Sequence, residues 1–211
     1  MSDGPQREAL VEAGRRMVGL GLTHGTSGNL SVRVEGGCLI TPTALAVDRL
    51  EPGDMVMLRL DGTHQPGVRA PSSEWRIHCD IYRTRPEAGA VVHAHPSHAT
   101  AIACLRRDIP AVHYMVAVAG GDSIRCAEYA TFGTEALSVQ VLAALEGRRA
   151  CLLANHGVVA LGAGLEQALG LLHEVERVAE VYGLALAAGA PVSLDDREMA
   201  RVLERFREYR E

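Results

Sequence analysis

The segment 90–96 reads AVVHAHP, so two histidines, His93 and His95, directly follow β-branched valines. Valines of this kind favour a buried strand, and Pro96 suits the first turn of a following helix. Side chains two residues apart on a strand point to the same face, which places the two imidazoles side by side. The pair is compatible with a zinc site or with two ordinary, partly buried histidines. A catalytic zinc site would need a third protein ligand from elsewhere in the chain and an open position.

A third histidine lies in a polar triplet between two apolar runs. Residues 150–154 read ACLLA and residues 158–161 read VVAL, with Asn155, His156 and Gly157 between them. This pattern predicts a strand, a turn and a second strand. Packing alone gives little reason for polar residues at that turn, so we predict His156 as the third metal ligand. His173, within a long helical pattern, is assigned as an ordinary helix residue.

The run Pro71-Ser72-Ser73-Glu74 is typical of a helix start, with serine at the cap and glutamate near the first turn. Many helices begin this way without any functional reason. Hydroxyls and free N–H groups at a helix N-terminus also bind anions, and Glu74 would then lie at the mouth of that site. We predict a helix that continues from this run to Arg85.

Two further turns are rich in small residues. The first, 25–32, reads GTSGNLSV, and the second, 39–44, reads LITPTA and follows a strand pattern. Each is either a tight turn or an anion cradle, in which glycines let the backbone approach a ligand and N–H groups donate to phosphate oxygens. Neither turn contains Lys or Arg, so anion binding there would depend on N–H groups, hydroxyls and a helix dipole.

The composition of the 211 residues indicates a soluble globular protein of one domain, spanning 1–211. The net charge is −5 with no basic block, which argues against a nucleic-acid partner. Residues 1–20 form a charged amphipathic segment rather than a signal peptide, and the chain has no apolar run long enough to span a membrane. Five scattered cysteines without a Cys-x-x-Cys motif indicate a reducing compartment, so we expect a cytoplasmic protein.

Strand patterns alternate with helical ones along the chain, which predicts an α/β domain. Residues 109–119 are apolar and rich in β-forming residues. The last helix is predicted to be capped by Ser193 with Asp196 and to end at Tyr209. Helical spacing of apolar residues is found over 5–20, 96–105, 133–146, 164–189 and 194–209.

Five of these motifs, taken in order, resemble a known family, the class II, zinc-dependent sugar-phosphate aldolases with the aldolase/adducin head fold. The resemblance covers nearly the whole chain and includes the runs at 113–115, 119–121 and 129–133. Each motif alone is weak, but five in this order and at these spacings are specific. The motifs are Gly-Thr-Ser-Gly-Asn at 25–29, Thr-Pro-Thr at 41–43, Pro-Ser-Ser-Glu at 71–74, His-x-His at 93–95 and Asn-His-Gly at 155–157.

The resemblance implies a single-domain, three-layer α/β/α sandwich with a largely antiparallel central sheet. It also implies a C4 homotetramer with active sites at the subunit interfaces and one Zn²⁺ per subunit. The implied zinc ligands are His93, His95 and His156, with Glu74 as a fourth ligand that can leave. The implied phosphate-binding residues are Gly28, Asn29, Thr43, Ala44, Ser72 and Ser73.

The implied reaction is the reversible aldol cleavage of a ketose 1-phosphate to dihydroxyacetone phosphate and a short aldehyde. L-Fuculose 1-phosphate, which would give L-lactaldehyde, is the leading substrate. Glu74 would take or return the proton at the carbon next to the carbonyl group. Tyr114 would handle the proton on the aldehyde oxygen, and Tyr209 would close over the site of a neighbouring subunit.

The sequence departs from the family pattern at two places in the site. Ala44 replaces a glycine of the phosphate turn, which would cost roughly 1 kcal/mol if the backbone there needs a positive φ. Asn155 stands where the most similar aldolases commonly have another histidine, and it could orient the substrate or a metal ligand.

Several alternatives stay open at this point. Other 5-deoxy-pentulose or pentulose 1-phosphates could be the substrate. A methylthioribulose-1-phosphate dehydratase and a decarboxylase of the same fold can also carry glutamate at position 74, whereas the 4-epimerases usually carry aspartate. An adducin-type binding module would lack the metal histidines. A purely structural zinc site would commonly use cysteines, and none lies near these histidines in the sequence.

Overall fold

The computed structural model describes residues 3–64 and 69–208. Within these ranges a seven-stranded sheet has the order β3-β2-β1-β4-β7-β6-β5, and all neighbouring strands are antiparallel except the parallel pair β5 and β6. The strands are β1 (Asn29–Val34), β2 (Gly37–Ile40), β3 (Val56–Leu58), β4 (Ala90–Ala94), β5 (Cys126–Ala127), β6 (Ala150–Leu153) and β7 (Gly157–Gly162).

Six α-helices are found in the same part of the chain. They are α1 (Gly4–Gly19), α2 (Trp75–Thr84), α3 (Ser97–Cys104), α4 (Glu135–Ala144), α5 (Leu165–Ala188) and α6 (Asp196–Glu208). Short 3-10 helices span Val47–Arg49, Pro52–Asp54 and Tyr114–Ala119. None of these described helices combines the length and the apolar character that crossing a membrane requires.

Two hydrophobic cores lie on the two faces of the sheet, because side chains alternate along each strand. Val92 of β4 packs into the core formed with α1, α3 and α5, whereas its neighbour Val91 packs into the core formed with α2 and α4. The layers are therefore helices, sheet and helices. This confirms the predicted three-layer α/β/α domain with a largely antiparallel sheet.

The predicted serine cap of α2 was wrong, because this helix begins only at Trp75. The N–H group of Ser72 donates to the Thr41 carbonyl oxygen at 3.1 Å, and Pro71 forms a β-bridge with Pro42. These contacts hold 71–72 in extended backbone beside 41–42. Glu74 takes the N-cap position without a side-chain cap bond, while the Ser72 hydroxyl accepts the N–H of Glu74 at 3.3 Å.

The β-rich composition of 109–119 does not produce a strand. Its second half is the 3-10 helix Tyr114–Ala119, begun by the His113 imidazole, which accepts the N–H of Met115 at 3.3 Å. Gly120, with φ 101°, ends that helix.

The predicted cap of the last helix was also wrong, because a different residue provides it. Asp195, rather than Ser193 or Asp196, accepts the N–H of Glu198 at 2.8 Å. Tyr209 lies outside the described residues.

Candidate metal centre

Three separate parts of the fold deliver the predicted metal ligands to one place. His93 lies in β4 opposite Val159 of β7, and His95 lies one residue beyond the end of β4. His156 occupies the tight turn between β6 and β7, and Glu74 stands at the N-cap of α2. Since β4 pairs with β7, strand register alone brings the histidine pair beside the turn that carries His156.

The four side chains form a compact cluster. His93 Nε2 lies 3.0 Å from His95 Nε2 and 3.0 Å from Glu74 Oε2, and His156 Nε2 lies 3.4 Å from Glu74 Oε1. The three imidazole ring centroids are 4.8 to 4.9 Å apart. All four candidate ligand atoms lie within 4.8 Å of one another, a spacing at which they could hold one metal ion.

An outer contact fixes the orientation of the central histidine. His93 Nδ1 lies 2.9 Å from the carbonyl oxygen of Val158, which can only accept a hydrogen. Nδ1 therefore carries a hydrogen, and Nε2 faces the cluster. A backbone carbonyl in this position is a common outer partner of metal-binding histidines.

Burial and mutual charge perturb every group in the cluster. Burial alone would raise the pKa of Glu74, but the charge and hydrogen bond of His93 outweigh it and hold that pKa well below its ordinary value. Burial together with His93 lowers the pKa of His95 to about 3 and that of His156 to about 4. Two of the three imidazoles are thus neutral at pH 7, as metal ligation requires.

The donor set fits a divalent metal ion. Glu74 is only 7 % exposed, and its Oε1 atom has no hydrogen-bond donor among the described residues. A buried carboxylate oxygen without a partner is costly, and a cation between it and the imidazoles would satisfy it. Three imidazole nitrogens with one carboxylate oxygen match the ligand types of zinc in proteins.

The cluster opens into a cavity of about 320 Å³ that also contains the predicted phosphate turns. Gly28, Asn29, Thr43, Ala44, Ser72 and Ser73 all line it, as do Glu74, His95 and His156. None of the described lining residues is Lys or Arg. The cavity is also lined by residues of the quoted motifs for which no role was predicted, namely Thr26, Ser27, Tyr129, Ala130 and Phe132.

Backbone conformation shapes the two turns of the cavity. Gly28 has φ 81°, and a Cβ there would lie 2.8 Å from the carbonyl oxygen of His93, so only glycine fits. Ala44 has φ 57°. The backbone is therefore left-handed at the position where Ala44 replaces the glycine of the family pattern. Asn29 lines the cavity, but its amide is engaged with Glu74 and His78.

Asn155 also lines the cavity and adopts a left-handed φ of 53°. Its Oδ1 atom accepts a hydrogen bond from Arg106 Nε at 2.8 Å. The expectation that Asn155 orients a metal ligand or the substrate stays a prediction.

Tyr114 is not brought to this cavity within one chain. It is 50 % exposed and lines a separate groove of about 600 Å³, which we call the α6 groove. The α6 groove is lined by Tyr114, Met115, Glu198, Arg201, Val202, Arg205 and Phe206.

Comparison with known proteins identifies relatives over nearly the whole chain. The family described as Class II Aldolase and Adducin N-terminal domain matches residues 8–183. A 5-methylthioribulose-1-phosphate/5-deoxyribulose-1-phosphate aldolase of Rhodospirillum rubrum is 52 % identical over 203 residues, covering 96 % of this chain and 91 % of the relative. L-Fuculose phosphate aldolase of Escherichia coli K12 is 49 % identical over 201 residues, covering 95 % and 93 %.

Solved structures give the same result. The structure of an L-fuculose 1-phosphate aldolase superposes with a TM-score of 0.92 at 44 % identity, covering 98 % of this chain and 97 % of that one. Because the superposition covers nearly the whole chain, the two structures agree in the sheet and in the helical layers on both of its faces.

The left-handed backbone at Ala44 predicts an unusual response to glycine. Ala44→Gly removes a conformational cost of about 1–2 kcal/mol and adds the entropy cost of glycine, about 0.5–1 kcal/mol. We expect the free energy of unfolding in urea to stay equal or rise. Ala46→Gly is the matched control, since Ala46 has an ordinary φ of −63°, and it should destabilise by about 0.5–1 kcal/mol. Equal destabilisation by both variants would contradict the strained turn.

The cluster predicts stabilisation by a divalent cation. Zn²⁺ or Co²⁺ added to metal-stripped protein at 100 times its Kd should stabilise the fold by about 2.7 kcal/mol, seen as a higher Tm in a thermal melt. His95→Ala should lose most of this shift. His98→Ala, which removes an exposed histidine three residues away, should retain it. A shift that survives His95→Ala unchanged would place the ion elsewhere.

Proposed function

The chain belongs to the class II aldolase and adducin N-terminal domain family and is an aldolase, and we propose that it catalyses the zinc-dependent, reversible cleavage of a ketose 1-phosphate. The observation that carries the proposal is the shared cavity. Three of the four candidate metal ligands, Glu74, His95 and His156, line the same space of about 320 Å³ as three turns suited to a phosphate group. A phosphorylated sugar bound there would have its carbonyl end beside the metal ligands.

The substrate is proposed from the common part of the relatives' substrates. The Escherichia coli relative is an L-fuculose phosphate aldolase, and the Rhodospirillum rubrum relative acts on 5-methylthioribulose 1-phosphate and 5-deoxyribulose 1-phosphate. These sugars share a ketose 1-phosphate portion and differ in the aldehyde portion. Dihydroxyacetone phosphate is therefore the common product. L-Fuculose 1-phosphate, giving L-lactaldehyde, is our leading substrate, and 5-deoxyribulose 1-phosphate is the second because of the 52 % identity.

Phosphate binding is assigned to Gly28, Asn29, Thr43, Ala44, Ser72 and Ser73. Their N–H groups and hydroxyls would donate to phosphate oxygens, with the N-terminus of α2 directed at the same space. Asn29 would contribute through its backbone, because its amide is engaged with buried partners. Specificity for phosphate would then come from geometry rather than from a cationic side chain.

Zn²⁺, one per subunit, is assigned to His93, His95, His156 and Glu74. When bound, it would supply Lewis-acid stabilisation of the negative charge that develops on the carbonyl oxygen of the sugar. The three imidazoles would hold their positions through catalysis. Glu74 is the ligand that leaves, since a carboxylate at the N-cap of a helix can move without breaking strand pairing.

Glu74 is also assigned as the general base and acid. It would remove the proton from the carbon next to the carbonyl in the synthesis direction and return it in the cleavage direction. Burial alone would raise the pKa of Glu74, but the neighbouring imidazoles outweigh it, so the side chain is an ionised carboxylate that can accept a proton.

We also propose the quaternary arrangement that the resemblance implies, a C4 homotetramer with active sites at the subunit interfaces. Tyr114 is half-exposed in the α6 groove, so it is available to the site of a neighbouring subunit, where it would handle the proton on the aldehyde oxygen. Tyr209 is proposed to close over that site. One domain over 1–211 and a cytoplasmic location complete the proposal.

The first experiment is a substrate panel. L-Fuculose 1-phosphate, 5-deoxyribulose 1-phosphate and 5-methylthioribulose 1-phosphate are compared by coupled detection of dihydroxyacetone phosphate, with the unphosphorylated sugars as controls. We expect cleavage of at least one phosphate ester, loss of activity with chelator and recovery with Zn²⁺. The highest kcat/KM identifies the substrate. Absence of dihydroxyacetone phosphate from every ketose 1-phosphate would refute the proposal.

The second experiment tests the assignment of the base. Glu74→Gln keeps the size of the side chain and one acceptor oxygen but cannot exchange the proton, so kcat should fall by about 100-fold or more. Circular dichroism and Tm should stay close to those of the parent protein. Glu87→Gln, which removes an exposed carboxylate beyond the end of α2, is the control with parental activity. If Glu74→Gln retains turnover, another group is the base.

A further inference from the structure

A row of buried polar side chains leads from Glu74 away from the cavity. Asn29 Nδ2 donates to Glu74 Oε2 at 3.2 Å, and Asn29 Oδ1 lies 2.5 Å from His78 Nε2. Ser31 Oγ lies 2.7 Å from His78 Nδ1 and 2.8 Å from the hydroxyl of Tyr82. We call Asn29, Ser31, His78 and Tyr82 the buried polar chain. All four are at most 4 % exposed.

Two elements that face each other hold this chain. Asn29 and Ser31 lie two residues apart on β1, so they point to the same face of the sheet. Glu74, His78 and Tyr82 follow one another at intervals of four, which places them along one side of α2. Side chains from β1 and from the α2 side therefore alternate along the row of hydrogen bonds. Tyr82, at the far end of the row, belongs to the core that α2 and α4 form with the sheet.

The direction of each hydrogen bond follows from the donors and acceptors available. The carboxylate of Glu74 accepts only, so Asn29 must turn its NH₂ group toward Glu74 and its carbonyl oxygen toward His78. His78 must then carry its hydrogen on Nε2 and leave Nδ1 bare. Ser31 donates to Nδ1 and accepts from the hydroxyl of Tyr82. Burial lowers the pKa of His78 to about 3, so the ring is neutral and has one N–H group to give.

The opposite arrangement would act against Glu74. If His78 carried its hydrogen on Nδ1, its Nε2 would need a donor, and the Asn29 amide would rotate to provide one. The carbonyl oxygen of Asn29 would then face the carboxylate of Glu74, with two acceptors in contact and no hydrogen between them. The tautomer of His78 therefore decides which end of Asn29 meets Glu74.

We propose that His78, oriented by Ser31 and Tyr82, is a positioning residue that fixes the Asn29 amide with its NH₂ group toward Glu74. Asn29 in turn holds one oxygen of the carboxylate, and this sets the position from which Glu74 binds the metal ion and exchanges a proton. The inference rests on the proposed function of Glu74. His78 itself is not among the residues that line the cavity.

The experiment compares two substitutions of His78 in the full-length protein. His78→Leu removes both nitrogens, and His78→Gln retains an N–H donor near the position of Nε2. Affinity of the metal-stripped protein for Zn²⁺ is measured by competition with a chromophoric chelator, alongside kcat, KM and Tm. We expect His78→Leu to lower metal affinity and kcat about 10–100-fold with KM nearly unchanged. His78→Gln should recover most of both losses.

Single hydroxyl deletions keep the test decisive if His78→Leu does not fold. Ser31→Ala and Tyr82→Phe should each lower metal affinity or kcat about fivefold, the worth of one hydrogen bond. Tyr182→Phe is the matched control, since Tyr182 is buried in α5 in the other core, and it should match the parent.

The outcomes separate the two proposals. Folded variants with a lower Tm but parental metal affinity and kcat would overturn the positioning role. A loss of metal affinity in a protein that cleaves no ketose 1-phosphate would leave the positioning role intact and refute the proposed function.

Discussion

The hydrogen bonding of β4 with its two neighbours is the constraint on which the site depends. On one side β4 pairs with β1, which places Asn29 opposite His93. On the other side it pairs with β7, which sets His93 opposite Val159 and brings the turn with His156 alongside. A shift of either register by one residue would turn the histidines to the other face of the sheet. The histidine pair at the end of β4 and the distant His156 therefore meet because of backbone pairing.

The phosphate group that we propose for the cavity would be bound without a cationic side chain from the described lining residues. The described residues that line the cavity offer N–H groups, hydroxyls, amides and imidazoles beside the Glu74 carboxylate, and none is Lys or Arg. Such groups attract an anion only when they are aimed at it, so the backbone must be held in unusual conformations. Gly28 and Ala44, both with positive φ, supply these at two of the turns. The strain near the cavity is thus linked to how the phosphate group would be recognised.

Local patterns in the sequence predicted an α/β domain and the three histidines of the cluster, whereas the three layers, the antiparallel sheet and Glu74 as a ligand came from the resemblance to the family. The valines before His93 and the polar triplet around His156 were sufficient to place strands and turns. The start of α2 was misplaced, because the pairing of 71–72 with 41–42 is a long-range contact that outweighs the serine cap signal. The buried polar chain was missed for a similar reason. The spacing of His78 and Tyr82 from Glu74 is visible in the sequence. Their partners Asn29 and Ser31 on β1 depend on how the helix packs on the sheet.

The two outer strands of the sheet are its shortest. β3 has three residues and β5 has two, so each presents few free N–H and carbonyl groups to another chain. Long, flat outer strands invite strand-to-strand aggregation, and brief ones oppose it. Copies of this chain consequently have little scope to join by extending the sheet. Any assembly must instead be built from side chains on the helical layers and loops, where association can be controlled by shape and charge.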